Sequence, residues 1–574
     1  MPQTAKSRLR NRARILSGIF ILVAGFLIVR LYFVQIIHGD KFARDAMGQY
    51  VAPAPDTQER GSIFFTRNDG ASVAAAVMQS GWRIAIQPKS LTDPAAIYEK
   101  LNGLTPIDRE RFFGSADKTG DPYEEVAFKV PDDAASAIRA KKISGIILVR
   151  DEWRYYPAGA LAAHTVGFVG YKGDTKTGVY GLERSWQDTL TRTSRDHYVN
   201  PFAEIFTNVG DLFASDPSGR QGDIITSIEP AVEKELEEAL EEVREKYDAK
   251  IVGGIVMNPR TGEIIALGAK PDFNPNTYNL VSDIAIFSNP LVENIYEMGS
   301  IMKPLTVAAG IDAGAIRPES IYEDRGFIMR SGKKISNFDG KARGVVSMQE
   351  VLNQSLNTGA AFIAEKTGHS VFSDYIHAAG LGEKTGIDLP NESAGLIRAI
   401  EGGTDVDYAS ASFGQGIAFS PIAMVRALSA LANGGAIPVP HIVTAIRYQS
   451  GVVKKIPVAE QRQVFKPETA ETVTRMLTTV YDKALLDGEL REERYSIAAK
   501  TGTAQIAVPG GAGYYDDRYL HSFFGYFPAH DPQFIVFLYA LEPRGELYAS
   551  RTLARPFHEI AKFLINYYEI PPDR

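Results

Sequence analysis

Residues 298–304 read Met-Gly-Ser-Ile-Met-Lys-Pro, and this stretch places a serine and a lysine one helical turn apart where an apolar helical pattern begins. A lysine three positions after a serine lies on the same side of a helix. Serine is a weak nucleophile until a neighbouring group takes its proton, and a buried lysine whose charge is disfavoured can do so. The stretch therefore predicts a nucleophile, Ser300, with Lys303 as its base.

The spacing by itself is weak, because Ser-x-x-Lys occurs three times in the chain. The pairs Ser115–Lys118 and Ser331–Lys334 lie in runs without an apolar helical context. Only Ser300 precedes such a run, residues 305–311, which is typical of a buried helix. Context therefore favours Ser300 over the other two serines.

Length and composition exclude several classes of function. The chain has 574 residues, 45% of them hydrophobic and 23% charged, which is typical of a folded protein of two or three domains. A net charge of −7 argues against nucleic acid as the main partner. The chain has no cysteine and its nine histidines show no ligand spacing, so we expect no disulfide, no metal and no cofactor.

The N-terminus predicts a membrane anchor. Residues 15–37 are mostly apolar, with Arg30 the one charged residue among them, and have the length that spans a bilayer. Several basic residues precede them, so residues 1–14 are expected to form a cytoplasmic tail, with the rest of the chain on the other side of the membrane. A cleaved signal peptide is the alternative, but no small-x-small cleavage site follows the run.

Two regions are expected after this anchor. Residues 38–222 are mixed and turn-rich, with a strand-like run at 60–65. The remainder, residues 223–574, has predicted strands and helices that enclose a helical block at 300–433. Its predicted strands are 223–228, 251–257, 263–267, 495–500, 522–527 and 533–541, and its flanking helices are 232–247 and 555–568. Helices enclosed by sequence-distant strands predict an α/β domain with an antiparallel sheet.

A second candidate segment, Ser355-Leu356-Asn357, lies on or beside the helical pattern that begins at Met348. The hydroxyl of Ser355 could relay a proton from Lys303, and the amide of Asn357 could hold a substrate carbonyl. An N-cap or a turn is the alternative interpretation, since serine and asparagine are frequent there.

The third candidate segment is Lys500-Thr501-Gly502-Thr503, at the end of an apolar strand. A strand beside a cleft can pair with an extended peptide substrate. Lys500 supplies charge, Thr501 and Thr503 can bind a carboxylate, and Gly502 leaves room for the substrate. Lys-Thr-Gly occurs five times in the chain, and only this copy follows a strand.

Taken in chain order, Ser300/Lys303, Ser355/Asn357 and Lys500/Thr501/Gly502 resemble the three signatures of penicillin-recognising serine enzymes. Further segments resemble motifs of the class B penicillin-binding proteins. These segments are 60–63, 181–183, 262–267, 270–276, 385–390, 414–416 with 420–421, and 432–435. One departure is Thr66, where the family usually has aspartate before Arg-Asn-Gly, and it concerns the pedestal rather than the chemistry.

The resemblance implies an α/β transpeptidase domain, an antiparallel sheet flanked by helices, at residues 223–574. It also implies an elongated pedestal domain of the dimerisation type at residues 38–222 and a single transmembrane helix at residues 15–37. A monofunctional class B architecture follows, because the roughly 180 residues before the catalytic domain leave no room for the glycosyltransferase domain of a class A enzyme.

The activity implied is that of a D,D-transpeptidase that cross-links peptidoglycan stem peptides. Ser300 would attack the D-Ala–D-Ala carbonyl with Lys303 as base, and Ser355 would pass the proton to the departing D-Ala. The backbone N–H groups of Ser300 and Thr503 would form the oxyanion hole. β-Lactam antibiotics would acylate Ser300.

The resemblance also implies partners and leaves alternatives. A polytopic membrane glycosyltransferase would contact the anchor and the pedestal. Residues 296–299 and the short tail 567–574 favour the division type over the elongation type. A D,D-carboxypeptidase or a β-lactamase shares the three signatures but normally lacks this anchor and pedestal. A catalytically silent scaffold or β-lactam sensor would have no reason to keep every reactive side chain.

Overall fold

The computed structural model describes residues 25–26, 60–173, 175–192, 221–448, 450–508, 510 and 513–574. The chain divides into two compact units, residues 1–57 and 58–574, and the second is described below. The predicted tail at residues 1–14 and nearly all of the predicted anchor at residues 15–37 lie outside the described residues. Among the residues that are described, no helix has both the length and the apolar character needed to cross a membrane.

Twenty strands form the sheets in the described part of the second unit. They are β1 (Ile63–Thr66), β2 (Ser72–Ile86), β3 (Glu124–Val130), β4 (Ile146–Tyr155), β5 (Val169–Lys172), β6 (Thr175–Gly178), β7 (Gly222–Thr226), β8 (Ile251–Met257), β9 (Ile264–Lys270), β10 (Ile321–Asp324), β11 (Phe327–Arg330), β12 (Lys333–Ser336), β13 (Gly344–Ser347), β14 (Ala436–Ile437), β15 (Val443–Tyr448), β16 (Val453–Lys455), β17 (Arg462–Gln463), β18 (Ala498–Ala507), β19 (Tyr514–Phe527) and β20 (Phe534–Leu541).

The α-helices of the described ranges alternate with these strands. They are α1 (Pro94–Asn102), α2 (Arg109–Ala116), α3 (Asp132–Ala140), α4 (Ala163–Val166), α5 (Gly181–Ser185), α6 (Gln187–Leu190), α7 (Pro230–Lys246), α8 (Lys303–Asp312), α9 (Met348–Asn353), α10 (Asn357–Thr367), α11 (His369–Ala378), α12 (Asp405–Ala411), α13 (Pro421–Ala432), α14 (Pro467–Thr479), α15 (Ala549–Thr552) and α16 (Ala554–Tyr567).

A five-stranded antiparallel sheet, in the order β18-β19-β20-β8-β9, forms the centre of the C-terminal region. Helices α7 and α16 bury their apolar stripes against one face of this sheet. The other face packs on a helical layer in which every residue of α13 is buried. This arrangement confirms the predicted antiparallel sheet flanked by helices.

The predicted helical block at residues 300–433 is only partly helical. Residues 321–347 form two small antiparallel pairs instead, β10 with β13 and β11 with β12. This segment reads Ile-Tyr-Glu-Asp-Arg-Gly-Phe-Ile-Met-Arg at its start, and its β-branched and aromatic residues alternate with polar ones over short stretches. Strand propensity and the glycine turns at Gly326 and Gly332, both at positive φ, override the helical interpretation.

A second sheet joins the two regions that were expected as separate domains at residues 38–222 and 223–574. Its order is β16-β15-β7-β1-β2-β3, with β4 also paired to β2. Strand β7 begins at Gly222, at the expected boundary, and runs parallel to β1. A Cβ on Gly61 would lie 2.1 Å from the Gly222 carbonyl oxygen, so only glycine lets these strands approach.

A buried ion triad connects the two pedestal segments that resemble family motifs. Glu183 is completely buried, and its carboxylate accepts from Arg60 Nε at 2.5 Å and from Arg154 Nε at 2.6 Å. Arg60 also donates to the Glu183 carbonyl at 2.6 Å. Burial opposes ionisation of Glu183, but Arg154 and Arg60 hold the pKa of its carboxyl below the ordinary value.

Replacing Glu183 by glutamine is expected to lower the free energy of unfolding by about 3–5 kcal/mol, because two guanidinium groups are left buried without a counter-charge. Chemical denaturation at pH 7 measures this change. Since the pKa of Glu183 is lowered in the fold, its contribution is present at neutral pH and is lost as the pH falls through that pKa. Glu323→Gln in the exposed pair with Arg325 is the control and should change stability by less than about 0.5 kcal/mol. A loss from Glu183→Gln no larger than that of the control would contradict this prediction.

Candidate active site

Ser300 lies in a single 3-10 turn, Gly299–Met302, that leads directly into α8. The α-helix therefore begins at Lys303 rather than at Ser300, with Pro304 in its first turn. Gly299 has a φ of +64°, which is unfavourable for other residues, so the glycine before the serine sets the turn. The Ser300 side chain is half-buried and lines a cleft of about 1000 Å³.

A second glycine supports this turn from behind. Gly414 has a φ of +80°, and a Cβ there would lie 2.3 Å from the Gly299 carbonyl oxygen. The Gly299 N–H donates to the Gly414 carbonyl at 3.2 Å. The segment 414–416, singled out in the sequence by its resemblance to a family motif, thus packs against the backbone that carries Ser300.

Lys303 is fully buried and its amine is surrounded by oxygen atoms. Nζ donates to the Ser355 carbonyl and to Asn357 Oδ1 at 2.8 Å, and it lies 3.2 Å from Ser355 Oγ. A neutral amine has two hydrogens and one lone pair. If the two hydrogens go to the carbonyl and the amide oxygen, the lone pair is left to accept a hydroxyl proton.

Burial controls the charge of this amine. It lowers the pKa of Lys303 well below the ordinary value, and the charge of the nearby Lys500 lowers it further. Burial also lowers the pKa of Lys500 to about 7. Burial and the charge of Lys500 therefore favour the uncharged amine, the form that can act as a general base, beside Ser355 and one turn from Ser300.

Ser355 and Asn357 lie between and at the start of two helices. Ser355 lies in the turn between α9 and α10 and has a φ of +54°, so it is not an N-cap, and its backbone fits the turn interpretation. This conformation directs both its carbonyl and its hydroxyl at Lys303. Asn357 begins α10, and its Nδ2 donates to the Ser336 carbonyl at 3.0 Å, which leaves Oδ1 for Lys303.

The segment Lys500–Thr503 lies within β18 and not at its end. The apolar run stops at Ala499, but the strand continues to Ala507 because its ladder with β19 continues. Lys500 Nζ donates to Ser355 Oγ at 3.1 Å and to the Thr501 carbonyl at 3.0 Å. Within the described part of the chain β18 pairs on one side only, so its other edge faces the cleft and can add a peptide strand.

Thr501 and Thr503 share the face of β18 that lines the cleft. Thr503 Oγ1 accepts from the Ala549 N–H at 3.1 Å, which ties the strand to the start of α15. Gly502 lies on the opposite, buried face, where a Cβ would be 2.4 Å from Ser522 Oγ and 2.6 Å from the Met298 carbonyl oxygen. Its observed role is thus to let β18 close on the Ser300 turn, which differs from the expected role of leaving room for substrate.

Further residues line the cleft that the sequence motifs did not predict as part of the site. Phe338 and Tyr548 meet across it with ring centroids 5.5 Å apart. Behind Tyr548, the buried His521 donates from Nε2 to the Leu547 carbonyl at 3.1 Å and contacts Thr552 Oγ1 at 2.9 Å. No pattern in the sequence indicates these contacts, because they join segments far apart along the chain.

The alternative copies of the short motifs lie elsewhere. Ser115 is on α2, Ser331 is in the turn between β11 and β12, and the other Lys-Thr-Gly copies begin at Lys118, Lys176, Lys366 and Lys384. Of these residues, none contacts Lys303 in the part of the chain that is described. No group of three or more histidine or carboxylate side chains in the described ranges is arranged to hold a metal ion.

Two known protein families match most of the second unit. The penicillin-binding protein transpeptidase domain matches residues 252–562, and the penicillin-binding protein dimerisation domain matches residues 55–199. The first match contains all of the candidate site residues and the second contains the buried Glu183 triad.

Individual relatives resemble nearly the whole chain. It is 28% identical to stage V sporulation protein D of Bacillus subtilis, with 96% of this chain and 85% of that protein covered. It is 25% identical to the peptidoglycan D,D-transpeptidase FtsI of Escherichia coli, with coverages of 98% and 92%. Among solved structures, penicillin-binding protein 3 of Mycobacterium tuberculosis complexed with ampicillin is similar with a TM-score of 0.63 and 26% identity, covering 74% of this chain and 91% of that one.

Replacing Gly502 by alanine is expected to slow acylation of Ser300 by about 100-fold, because the new methyl group displaces the turn that carries the nucleophile. The rate of covalent labelling by a fluorescent penicillin measures this effect. Gly114→Ala is the matched control, since nothing lies within 4 Å of a Cβ at that position. Equal labelling rates in the two variants would contradict the packing role of Gly502.

The pH dependence of acylation should be bell-shaped. On the acid side, the acylation rate should rise with pH as Lys303, whose pKa is lowered well below the ordinary value, loses its proton. On the alkaline side, the rate should fall as Lys500 loses its charge at a pKa of about 7. The second-order labelling rate measured over a pH series tests this profile. Lys500→Arg keeps the charge at all pH values and should remove the alkaline limb. A flat profile between about pH 5 and pH 9 would contradict this assignment.

Proposed function

The chain belongs to the penicillin-binding protein transpeptidase family, whose domain matches more than half of its residues, and we propose that it is a serine D,D-transpeptidase that cross-links peptidoglycan stem peptides. The observation that carries the proposal is the buried amine of Lys303, which is held between Ser355 and Asn357 beside the Ser300 turn and whose pKa is lowered by burial. Relatives named as D,D-transpeptidases over nearly the whole chain support it.

In the proposed reaction, Ser300 Oγ attacks the D-Ala–D-Ala carbonyl while its proton passes to Lys303. The tetrahedral oxyanion is stabilised by the N–H groups of Ser300 and Thr503. Ser355, which contacts both lysines, relays the proton to the leaving nitrogen, so the C–N bond breaks and D-Ala departs. The amine of a second stem peptide then attacks the acyl-enzyme, its proton returns through the same groups, and Ser300 is released.

The remaining site residues would bind the donor peptide. Asn357 would hold Lys303 and a substrate amide, and Lys500 with Thr501 and Thr503 would bind the terminal carboxylate. The free edge of β18 at Gly502 would pair with the extended peptide backbone. A β-lactam presents a similar carbonyl and carboxylate, so it would acylate Ser300 and leave slowly.

The cellular setting is part of the proposal. Residues 1–14 would be cytoplasmic and residues 15–37 would span the membrane, with the pedestal at 38–222 and the catalytic domain at 223–574 outside the cytoplasm. The pedestal and anchor would contact a polytopic membrane glycosyltransferase. A role in division rather than elongation is supported by residues 296–299 and by the relative named FtsI.

Fluorescent penicillin labelling of the full chain tests this function. Wild type should label in one-to-one stoichiometry, and Ser300→Ala should abolish labelling because the nucleophile is lost. Ser331→Ala is the matched control, since that serine begins another Ser-x-x-Lys pair on an exposed turn. Labelling that survives Ser300→Ala would overturn the assignment of the nucleophile, and a folded wild type that never labels would favour the scaffold or sensor alternative.

Analysis of wall fragments after depletion of the protein separates cross-linking from trimming. Loss of cross-linked dimers supports a transpeptidase, whereas accumulation of pentapeptides with unchanged cross-linking would indicate a D,D-carboxypeptidase.

Localisation of a tagged full chain at midcell supports the division role, and lateral localisation would contradict it.

A further inference from the structure

Asp324 is a buried carboxylate that lies behind the active-site cleft and outside the motifs discussed above. It ends β10 and is 1% exposed. In the described ranges it forms no ion pair, and its oxygens accept only from neutral donors. These are Gly326 N at 3.0 Å, Asn337 Nδ2 at 3.0 Å, Thr358 Oγ1 at 2.8 Å and Arg343 N at 3.0 Å. A buried charge satisfied in this way is costly to disturb.

Two of these donors belong to the wall of the cleft. Asn337 and Arg343 bracket the segment 337–343, and both line the cleft together with Phe338. Because Asp324 holds the Asn337 side chain and the Arg343 backbone together, it closes this segment into a fixed loop. The Asp324 carboxylate thus ties both ends of the loop, alongside the contacts of Arg343 with Asp339 and Gln354.

A third donor belongs to the helix that carries the catalytic amide. Thr358 follows Asn357 in the first turn of α10 and is 1% exposed. Its hydroxyl donates to Asp324, and its N–H donates to Asn337 Oδ1 at 3.2 Å. Asp324 therefore joins the loop to the start of α10, one residue from Asn357.

Ser336, which ends β12 just before this loop, sets which way the Asn357 amide faces. The Ser336 carbonyl, next to Asn337, can only accept, so it meets Asn357 Nδ2 at 3.0 Å and leaves Oδ1 toward Lys303. A reversed amide would present its N–H₂ to the Lys303 amine. That donor would occupy the lone pair that the base needs to take the Ser300 proton.

We propose that Asp324 is a positioning residue for acyl transfer, which fixes the Asn357 amide so that the lone pair of Lys303 stays available. It acts through Asn337, Thr358 and the Ser336 carbonyl and touches no reacting atom. This inference rests on the proposed function, because it assigns Asp324 a role in the same acylation step.

The test is Asp324→Asn in the full chain, with acylation by fluorescent penicillin separated into an acylation rate and a dissociation constant. The amide places N–H₂ against the donors Asn337 Nδ2 and Arg343 N, so the loop should shift. We expect the acylation rate to fall by about 10- to 100-fold while the dissociation constant changes by less than about threefold. The acid limb of the pH profile should move to lower pH, since charged Lys303 loses a carbonyl acceptor.

A rescue experiment distinguishes a positioning role of Asp324 from a general contribution to stability. Exchanging the two side chains, Asp324→Asn with Asn337→Asp, keeps one carboxylate and one amide in contact and should restore at least part of the rate. Thr358→Val, which removes one hydroxyl, should lower the acylation rate by a smaller factor and again leave the dissociation constant nearly unchanged. It replaces Asp324→Asn if that variant does not fold.

Glu392→Gln is the matched control. Glu392 is also a buried carboxylate that accepts from neutral donors, Thr385 N at 2.6 Å and Gly386 N at 3.1 Å, but it does not line the cleft. It should lower stability without slowing acylation. The inference is overturned if Asp324→Asn folds and is acylated at the wild-type rate. It is also overturned if Glu392→Gln slows acylation equally, or if the exchange variant folds but is acylated no faster than Asp324→Asn. All of these outcomes require a wild type that labels, so failure of the proposed function is seen separately.

Discussion

The withdrawal of the Lys303 amine from water is the constraint on which the rest of the site depends. An ammonium group buried without a carboxylate partner is strongly disfavoured, so burial lowers the pKa of Lys303 and favours the neutral amine that can act as a base. The site contains no histidine–carboxylate pair among the residues around Lys303; carbonyl, amide and hydroxyl oxygens orient the amine instead. The pKa of Lys303 is therefore set by packing, and any change that admits water to it raises that pKa and favours the protonated form, which cannot accept the serine proton.

That packing is possible because two glycines let the backbone close around the nucleophile. Gly502 brings β18 against the Ser300 turn, and Gly414 supports the turn from the other side. Ser522 completes the contact by donating to the Met298 carbonyl at 2.8 Å. The central sheet thus positions Lys500 and Ser300 together, while α10 brings Asn357 from the helical layer.

The sequence was a good guide where local pattern and tertiary structure agree. The hairpin of β8 and β9 and the helices α7 and α16 were predicted within a few residues, because their apolar periodicity matches the face that they bury. Residues 321–347 were predicted as part of a helical block, since short strands carry little periodic signal. The left-handed conformation of Ser355 and the network of Asp324 were not predictable, because distant segments impose them.

The two walls of the cleft are held by buried polar groups that differ in chemistry. On the sheet side, burial lowers the pKa of His521 to about 4, so the ring that anchors Leu547 and Thr552 stays neutral at the pH of catalysis. On the helical side, the carboxylate of Asp324 is satisfied by neutral donors alone. The His521 ring needs no change of charge near neutral pH, whereas burial lowers the pKa of Lys500 to about 7. The wall on the sheet side is therefore held by a ring whose charge does not change over the pH range in which Lys500 titrates.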